Sequence, residues 1–390
     1  MKLRIHFYVL PLSFILSATL FADDLTVGKP ADVGVSAKKL AEARKLFENA
    51  VTKNEIKGAV LLVAKDGKIV FHEAVGWRNE EKKLPMERDT LIRMASNTKA
   101  FIATAVMMLA EDGKLSVNDR LCKHLPAFDN EKCRDIRIKH LLSHTSGLRI
   151  KTLFLQPMMK PSKQHPDAPN LKLEVNRFAN VGPAEKPGTS FSYNNPGYNT
   201  LGALIETVSG MPLEQFLTKR IYRPLGMKDT TNHPVKSKFS RMSVVYERLK
   251  SGKWKQRFQQ NSGMRVPFVR ASGGMVSMAT DYARFCQMFL NSGKWGSRQL
   301  LSAKSTLAMT SAQTRNIYSA EQLRKRVSFY GYGWVVYRTG YFAHGGSEGT
   351  FGWIDPQRNL IGLILTQSPK GKIPRYEFIR LINAACDAKK

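Results

Sequence analysis

The run AFIATAVMMLA, residues 100–110, has no polar face. A helix of that composition cannot lie on a surface and must be wrapped on all sides by other elements. At its start stands Ser96-Asn97-Thr98-Lys99, with the hydroxyl and the amine three residues apart and therefore on one helix face. A serine hydroxyl is a poor nucleophile near neutral pH without a neighbouring base. A lysine can be that base only where desolvation or nearby positive charge lowers its pKa. The start of a buried helix supplies the desolvation, and its unpaired N–H groups offer positive potential to a developing oxyanion. Ser96 and Lys99 are thus a candidate nucleophile and base. Ser36-Ala37-Lys38-Lys39 repeats the spacing, but AKKLAEARKLFENA alternates charged and apolar residues, as in a surface helix capped by Ser36.

A chain of 390 residues, 43% of them hydrophobic, is long enough for one large globular domain or two modest ones. MKLRIHFYVLPLSFILSATLFADD begins with Lys2 and Arg4 and continues through a short, proline-broken apolar stretch to Ala22. This reads as a cleaved export signal over residues 1–22, leaving no transmembrane segment after cleavage. No cysteine lies near the cleavage point, which argues against a lipid anchor. Export permits disulfides, and Cys122 and Cys133 bracket a turn-like segment that a bridge would close. Cys286 and Cys386 read equally well as free buried thiols. Neither cysteines nor histidines show zinc spacing, so neither metal nor other cofactor is expected. The net charge of +30 is spread along the chain and should attract polyanions. For an exported protein these are anionic cell-envelope polymers or lipid head groups. No aromatic-interleaved basic motif supports specific nucleic-acid binding.

The coarse pattern runs from a helix over SAKKLAEARKLFENAV to a hairpin turning at Asp66-Gly67, and then through a long helical middle. Strands in YGYGWVVYR, GYFAHGG, GTFGWIDP and NLIGLILTQS follow, and a last helix in RYEFIRLINAACDA closes the chain. If early and late strands share one sheet, the middle is an insertion, with a cleft between the halves. Lys151 to Thr189 reads as a long irregular loop able to line or cover that cleft. Tyr193-Asn194-Asn195 sits in a Pro/Asn/Gly loop ahead of an apolar helix, so a phenol and a carboxamide can project into it. That phenol can accept a proton if a cation such as Lys99 depresses its pKa, while Asn195 can hydrogen-bond a substrate amide or the lysine. His344-Gly345-Gly346-Ser347 ends a strand with two glycines, allowing close approach of backbone and ligand. Gly345 to Gly349 also satisfies G-x-S-x-G, but no histidine follows Ser347 to serve as its base.

Six ordered blocks now stand together: Ser96-x-x-Lys99, HLLSHTSGL, PGTSFSYNN, YRPLGMKDT, SGGMVSMATDYARF and His344-x-Gly346. In that order the chain resembles the class C β-lactamase and penicillin-binding-protein superfamily, the branch with esterases, D-aminopeptidases and DD-carboxypeptidases. The resemblance implies an α/β (α+β) fold, an antiparallel sheet flanked by helices with a large all-helical insertion. It assigns about 33–90 plus 329–390 to the α/β part of a catalytic domain over 23–390, and about 91–328 to the insertion. It implies Ser96 as acylated nucleophile, Lys99 and Tyr193 sharing the proton, Asn195, His344 and Gly346 meeting substrate, and the Ser96 and Ser347 N–H groups as oxyanion hole. The expected substrate is a small-molecule or peptide ester or amide, handled in a bacterial periplasm or outside the cell. His344 stands where true β-lactamases usually have lysine, so a fixed charge for a drug carboxylate is missing. Asn194 also departs from the serine or alanine often found there.

Overall fold

The computed structural model describes residues 25–149, 161–259 and 268–387. The export signal, the start of the expected loop from Lys151, and residues 260–267 lie outside the described residues. A short strand β1 (Thr26–Val27) leads to helix α1 (Ala37–Thr52), whose first turn is capped where Ser36 Oγ accepts from the Lys39 N–H. Strands β2 (Gly58–Lys65) and β3 (Lys68–Asn79) form the expected hairpin. Asp66 and Gly67 both take positive φ, 49° and 73°, as a two-residue turn matched to the strand twist requires. Strand β4 (Leu84–Pro85) pairs with β3.

The middle of the chain contains β5 (Ile92–Arg93), α2 (Thr98–Glu111), α3 (Ile138–Leu142), α4 (Leu171–Val181), α5 (Asn195–Ser209) and α6 (Leu213–Leu217). It continues through β6 (Val245–Arg248), β7 (Trp254–Phe258), β8 (Val276–Ser277), α7 (Ala279–Leu290), β9 (Lys294–Trp295), β10 (Arg298–Gln299), α8 (Ala303–Met309) and α9 (Ala320–Lys325). Two sequence expectations need correction. The middle is not all-helical, because β5–β8, β6–β7 and β9–β10 pair as short two-stranded ribbons. Nor is Lys151 to Thr189 irregular throughout. Asn170 caps α4 through the Leu173 N–H, and Leu171, Val175, Phe178 and Ala179 recur at helical spacing on a buried face, a signal obscured by the proline-rich residues before it.

Strands β11 (Ser328–Tyr330), β12 (Val335–Tyr337), β13 (Phe342–Gly345), β14 (Phe351–Asp355) and β15 (Leu360–Thr366) complete the sheet before α10 (Arg375–Asp387). The nine-stranded sheet runs β1-β3-β2-β15-β14-β13-β12-β11, with β4 on β3, antiparallel except for β1 against β3. The last strand β15 lies against β2, from Leu360 opposite Lys65 to Thr366 opposite Ala59. The two halves of the chain therefore meet in mid-sheet. Strand β2 reads as an unbroken apolar run because both its faces are covered. Leu61 and Val63 belong to a core with Phe47 of α1 and Phe378 of α10, while Val60 and Leu62 face the core built on α2 and α7.

Helix α2 is buried from Thr98 to Leu109, as its composition demands. Phe101 stacks on Phe285 of α7 with ring centroids 3.7 Å apart, and Tyr222 and Tyr282 flank it. Cys122 and Cys133 are not bridged; all four cysteines are free thiols, and the buried Cys133 Sγ lies 3.4 Å from the Ala179 carbonyl that accepts from it. Among the described residues no helix is long and apolar enough to cross a membrane. Truncating Phe101→Ala should lower unfolding free energy by about 3–5 kcal/mol, because a rigid aromatic cluster cannot collapse into the space. Urea denaturation checks this, and a loss below about 1 kcal/mol would contradict the packing described.

Candidate active site

Ser96 does not lie in α2 itself but on a 3₁₀ turn, Ala95–Asn97, just before it. Ala95 takes φ 46°, a left-handed conformation that costs a non-glycine residue of order 1–3 kcal/mol. Its surroundings hold it there. The Met94 N–H donates to the Met275 carbonyl at 2.9 Å, the Thr98 hydroxyl donates to the Ala95 carbonyl at 2.6 Å, and Asn97 Nδ2 donates to Met94 O and to Thr350 Oγ1. Nothing in the sequence signals the left-handed alanine.

Lys99, one turn on, is fully buried, and Nζ makes three contacts: Ser272 O at 2.7 Å, Asn195 Oδ1 at 2.8 Å and Ser96 Oγ at 3.2 Å. Among the described residues no carboxylate pairs with it, and burial alone holds its pKa well below the ordinary lysine value. Two of the three contacts are carbonyl oxygens, which can only accept. A neutral amine has two N–H bonds for them and one lone pair left, and that lone pair faces the Ser96 hydroxyl. The face of the Tyr193 ring lies 4.8 Å from Nζ.

Tyr193 has 44% of its surface exposed, and its phenol lies near enough to Ser96 for that hydroxyl to act on its pKa. The expectation of a depressed phenol pKa is overturned. Desolvation pushes it up to about 12 against the lowering by Ser96, and the neighbouring amine is too poorly charged to reverse this. Asn195 is the first residue of α5, and Asn194 is that helix's N-cap, with Oδ1 accepting from the Gly197 N–H at 2.8 Å. The departure at Asn194 is therefore a cap that aims Asn195.

Strand β13 brings the remaining candidates alongside. A Cβ on Gly346 would stand 2.2 Å from Thr350 Oγ1 and 2.6 Å from the Met94 carbonyl, so only glycine lets this strand end press against the turn carrying Ser96. Neither the Ser96 nor the Ser347 N–H donates to a backbone carbonyl among the described residues, leaving both available to an oxyanion. His344 is not at the cleft surface, contrary to its expected contact with substrate. Only 3% exposed, its Nδ1 lies 2.8 Å from the Gly345 carbonyl and so carries the proton, while Nε2 accepts from the Tyr330 hydroxyl at 3.0 Å. Burial, and secondarily Lys99, pushes its pKa down to about 3. His144 was not singled out by sequence reasoning. It lies buried among Tyr193, Tyr198 and Tyr330, with ring centroids 4.3–4.9 Å away, and Nδ1 accepts from the Asn194 N–H.

The arrangement is a hydroxyl beside a neutral amine, a phenol and two free N–H groups, the parts needed to attack a carbonyl carbon and hold the resulting oxyanion. The beta-lactamase family model matches residues 43–385, and the chain belongs to that family. Protein flp of Staphylococcus aureus (strain MW2) is 33% identical over 207 residues, which cover 52% of this chain and 40% of flp, so the match spans less than half of that relative. Among solved structures, EstCE1, a hydrolase with promiscuous acyltransferase activity, aligns with a TM-score of 0.75 at 22% identity, covering 90% of this chain and 98% of EstCE1. The D-amino acid amidase of Ochrobactrum anthropi SV3 aligns with a TM-score of 0.70 at 22% identity, covering 90% and 99%. At these identities the two structures show a shared fold.

Introducing Gly346→Ala should cost about 1–3 kcal/mol through overpacking against Thr350 and Met94. Thermal unfolding reads this out, and an unchanged midpoint would mean that the strand end is not pressed on the Ser96 turn.

Proposed function

We propose that this chain is an exported serine hydrolase that cleaves an ester or amide through an acyl-enzyme on Ser96. The observation that carries this reading is the buried Lys99 Nζ in contact with Asn195 Oδ1, Ser272 O and Ser96 Oγ; in the neutral amine two N–H bonds serve the carbonyl oxygens and leave the lone pair for the Ser96 hydroxyl. Lys99 takes the Ser96 proton as Oγ bonds to the substrate carbonyl carbon, and the Ser96 and Ser347 N–H groups receive the oxyanion, each donor contributing roughly 2.7–4 kcal/mol. When the tetrahedral centre collapses, the bond to the leaving alcohol or amine breaks. That group takes a proton from the Tyr193 hydroxyl, and the Lys99 ammonium, which holds the former Ser96 proton, gives it to the phenolate, restoring both groups. Water then attacks the acyl carbon, gives its proton back through the same groups, and releases the acid. The Asn195 Nδ2 group orients the substrate's acyl carbonyl or amide.

Esters and peptide-like amides fit this site better than β-lactams. His344 is neutral and buried against Tyr330, so it offers no cation to the carboxylate of a drug. EstCE1, a hydrolase with promiscuous acyltransferase activity, and the D-amino acid amidase share this fold, which supports acyl-transfer chemistry of this kind. Export through residues 1–22 agrees with a surplus of 30 positive charges suited to anionic envelope polymers.

A fluorophosphonate probe should label Ser96, and Ser96→Ala should abolish both labelling and p-nitrophenyl ester hydrolysis; ester hydrolysis that survives Ser96→Ala would sink the mechanism. Lys99→Met should lower kcat about 10²–10⁴-fold, the span removed with a general base. The base must be neutral, so kcat/KM should rise with pH through a midpoint well below the ordinary lysine value. It should not fall again until the phenol ionises near 12. A rising limb centred near pH 10 would instead mean that Lys99 is solvated and charged.

A further inference from the structure

Behind Lys99 lies a second polar chain that the proposed mechanism does not use. The Ser272 carbonyl that receives the Lys99 amine belongs to a residue whose own N–H donates to Asn199 Oδ1 at 3.0 Å. Asn199 is on α5 one turn after Asn195, and its Nδ2 donates to Glu174 Oε2 of α4 at 3.2 Å. The other carboxylate oxygen, Oε1, accepts from Arg270 at 3.1 Å. The Glu174 side chain has no exposed surface, and Asn199 none either. A buried carboxylate is costly to keep in the core of a helical layer, where an apolar residue packs more cheaply.

We propose that Glu174 is a positioning residue for the Lys99 base, acting through Asn199 and the backbone of Ser272. This rests on the hydrolase reading above. The chain has a direction that only a carboxylate supports. Both Glu174 oxygens must accept, one from Asn199 and one from Arg270, and this obliges the Asn199 amide to turn its oxygen toward the Ser272 N–H. An amide at 174 would offer an NH₂ to one of those two donors and favour a flipped Asn199, which would set NH₂ against the Ser272 N–H. Residue 272 would then shift, and its carbonyl would no longer claim the second Lys99 N–H, leaving the lone pair free to turn from Ser96.

The same residue brings a pH response. Burial raises the Glu174 pKa to about 7, against the lowering effects of Arg270 from the segment before β8, Arg177 on its own helix, and Asn199 from α5. Protonation takes an acceptor site from Asn199 or from Arg270 and loosens the chain. Acylation should therefore weaken as pH falls through 7, on top of any titration of Lys99 itself.

The test measures Ser96 labelling by a fluorophosphonate and p-nitrophenyl ester turnover from pH 5 to 9 for the full chain, Glu174→Gln and Asn199→Ala. Expected for both variants are a kcat about 10–100-fold lower, a KM within about 2-fold of the parent, and loss of the limb near pH 7. Asn199→Ala leaves the Glu174–Arg270 pair in place, so it gives the answer if Glu174→Gln does not fold. Parent-like kcat in a folded variant, or a limb near pH 7 that persists in both, would overturn the positioning role. A parent chain that Ser96 probes never label would overturn the hydrolase reading, and this inference with it.

Discussion

Lys99 carries its amine into a fully buried position where the contacts are two carbonyl oxygens and a hydroxyl. A charged ammonium there would lack a carboxylate partner, and the effective penalty for burying an unpaired ion is several kcal/mol. Burial therefore lowers its pKa, and in the neutral form two N–H bonds and a lone pair match two acceptors and one donor. Each of those partners comes from a different part of the chain. Ser96 needs the strained turn before α2, Asn195 the capped start of α5, and Ser272 the segment entering β8. The pairing of β15 with β2 closes the sheet, and α2, buried in the core on one side of it and packed on α5, carries the nitrogen that these segments approach to within 3.2 Å.

The aromatic and imidazole groups around the amine are kept neutral by the same low polarity. His144 and His344 are both pushed down chiefly by burial, which disfavours an imidazolium beside Ser96. Tyr193 and Tyr330 move the opposite way and stay protonated. Burial therefore favours the neutral form of each of these site groups.

Much of this was legible in the sequence because it depended on local pattern. The unbroken apolar run of α2 forced burial, Asp66-Gly67 forced the first hairpin, and three polar motifs far apart in the chain converge at one point once the sheet closes. What was not legible depended on contacts between segments. Left-handed Ala95 has no propensity signal, since alanine rarely adopts that conformation. His344 looked like a ligand group because two glycines follow it, but on β13 its ring is buried and hydrogen-bonded to Tyr330. Cys122 and Cys133 are close in sequence, yet Cys133 is drawn inward against Ala179 of α4. Helix α4 itself was hidden by the composition of its neighbours, and Glu174 was hidden with it.

The surplus of positive charge acts in the same direction as burial, because each like charge also disfavours a protonated amine. Its weight is small by comparison. Exposed cations more than about 8 Å away are largely screened at physiological salt, and many here are already paired, as Arg44 is with Glu48 and Arg220 with Asp112. Full burial without a counter-ion acts at contact distance and cannot be screened by salt. The basicity of the chain and the state of its candidate base are thus nearly independent properties. The surface charge can vary while the three contacts around one nitrogen hold its state.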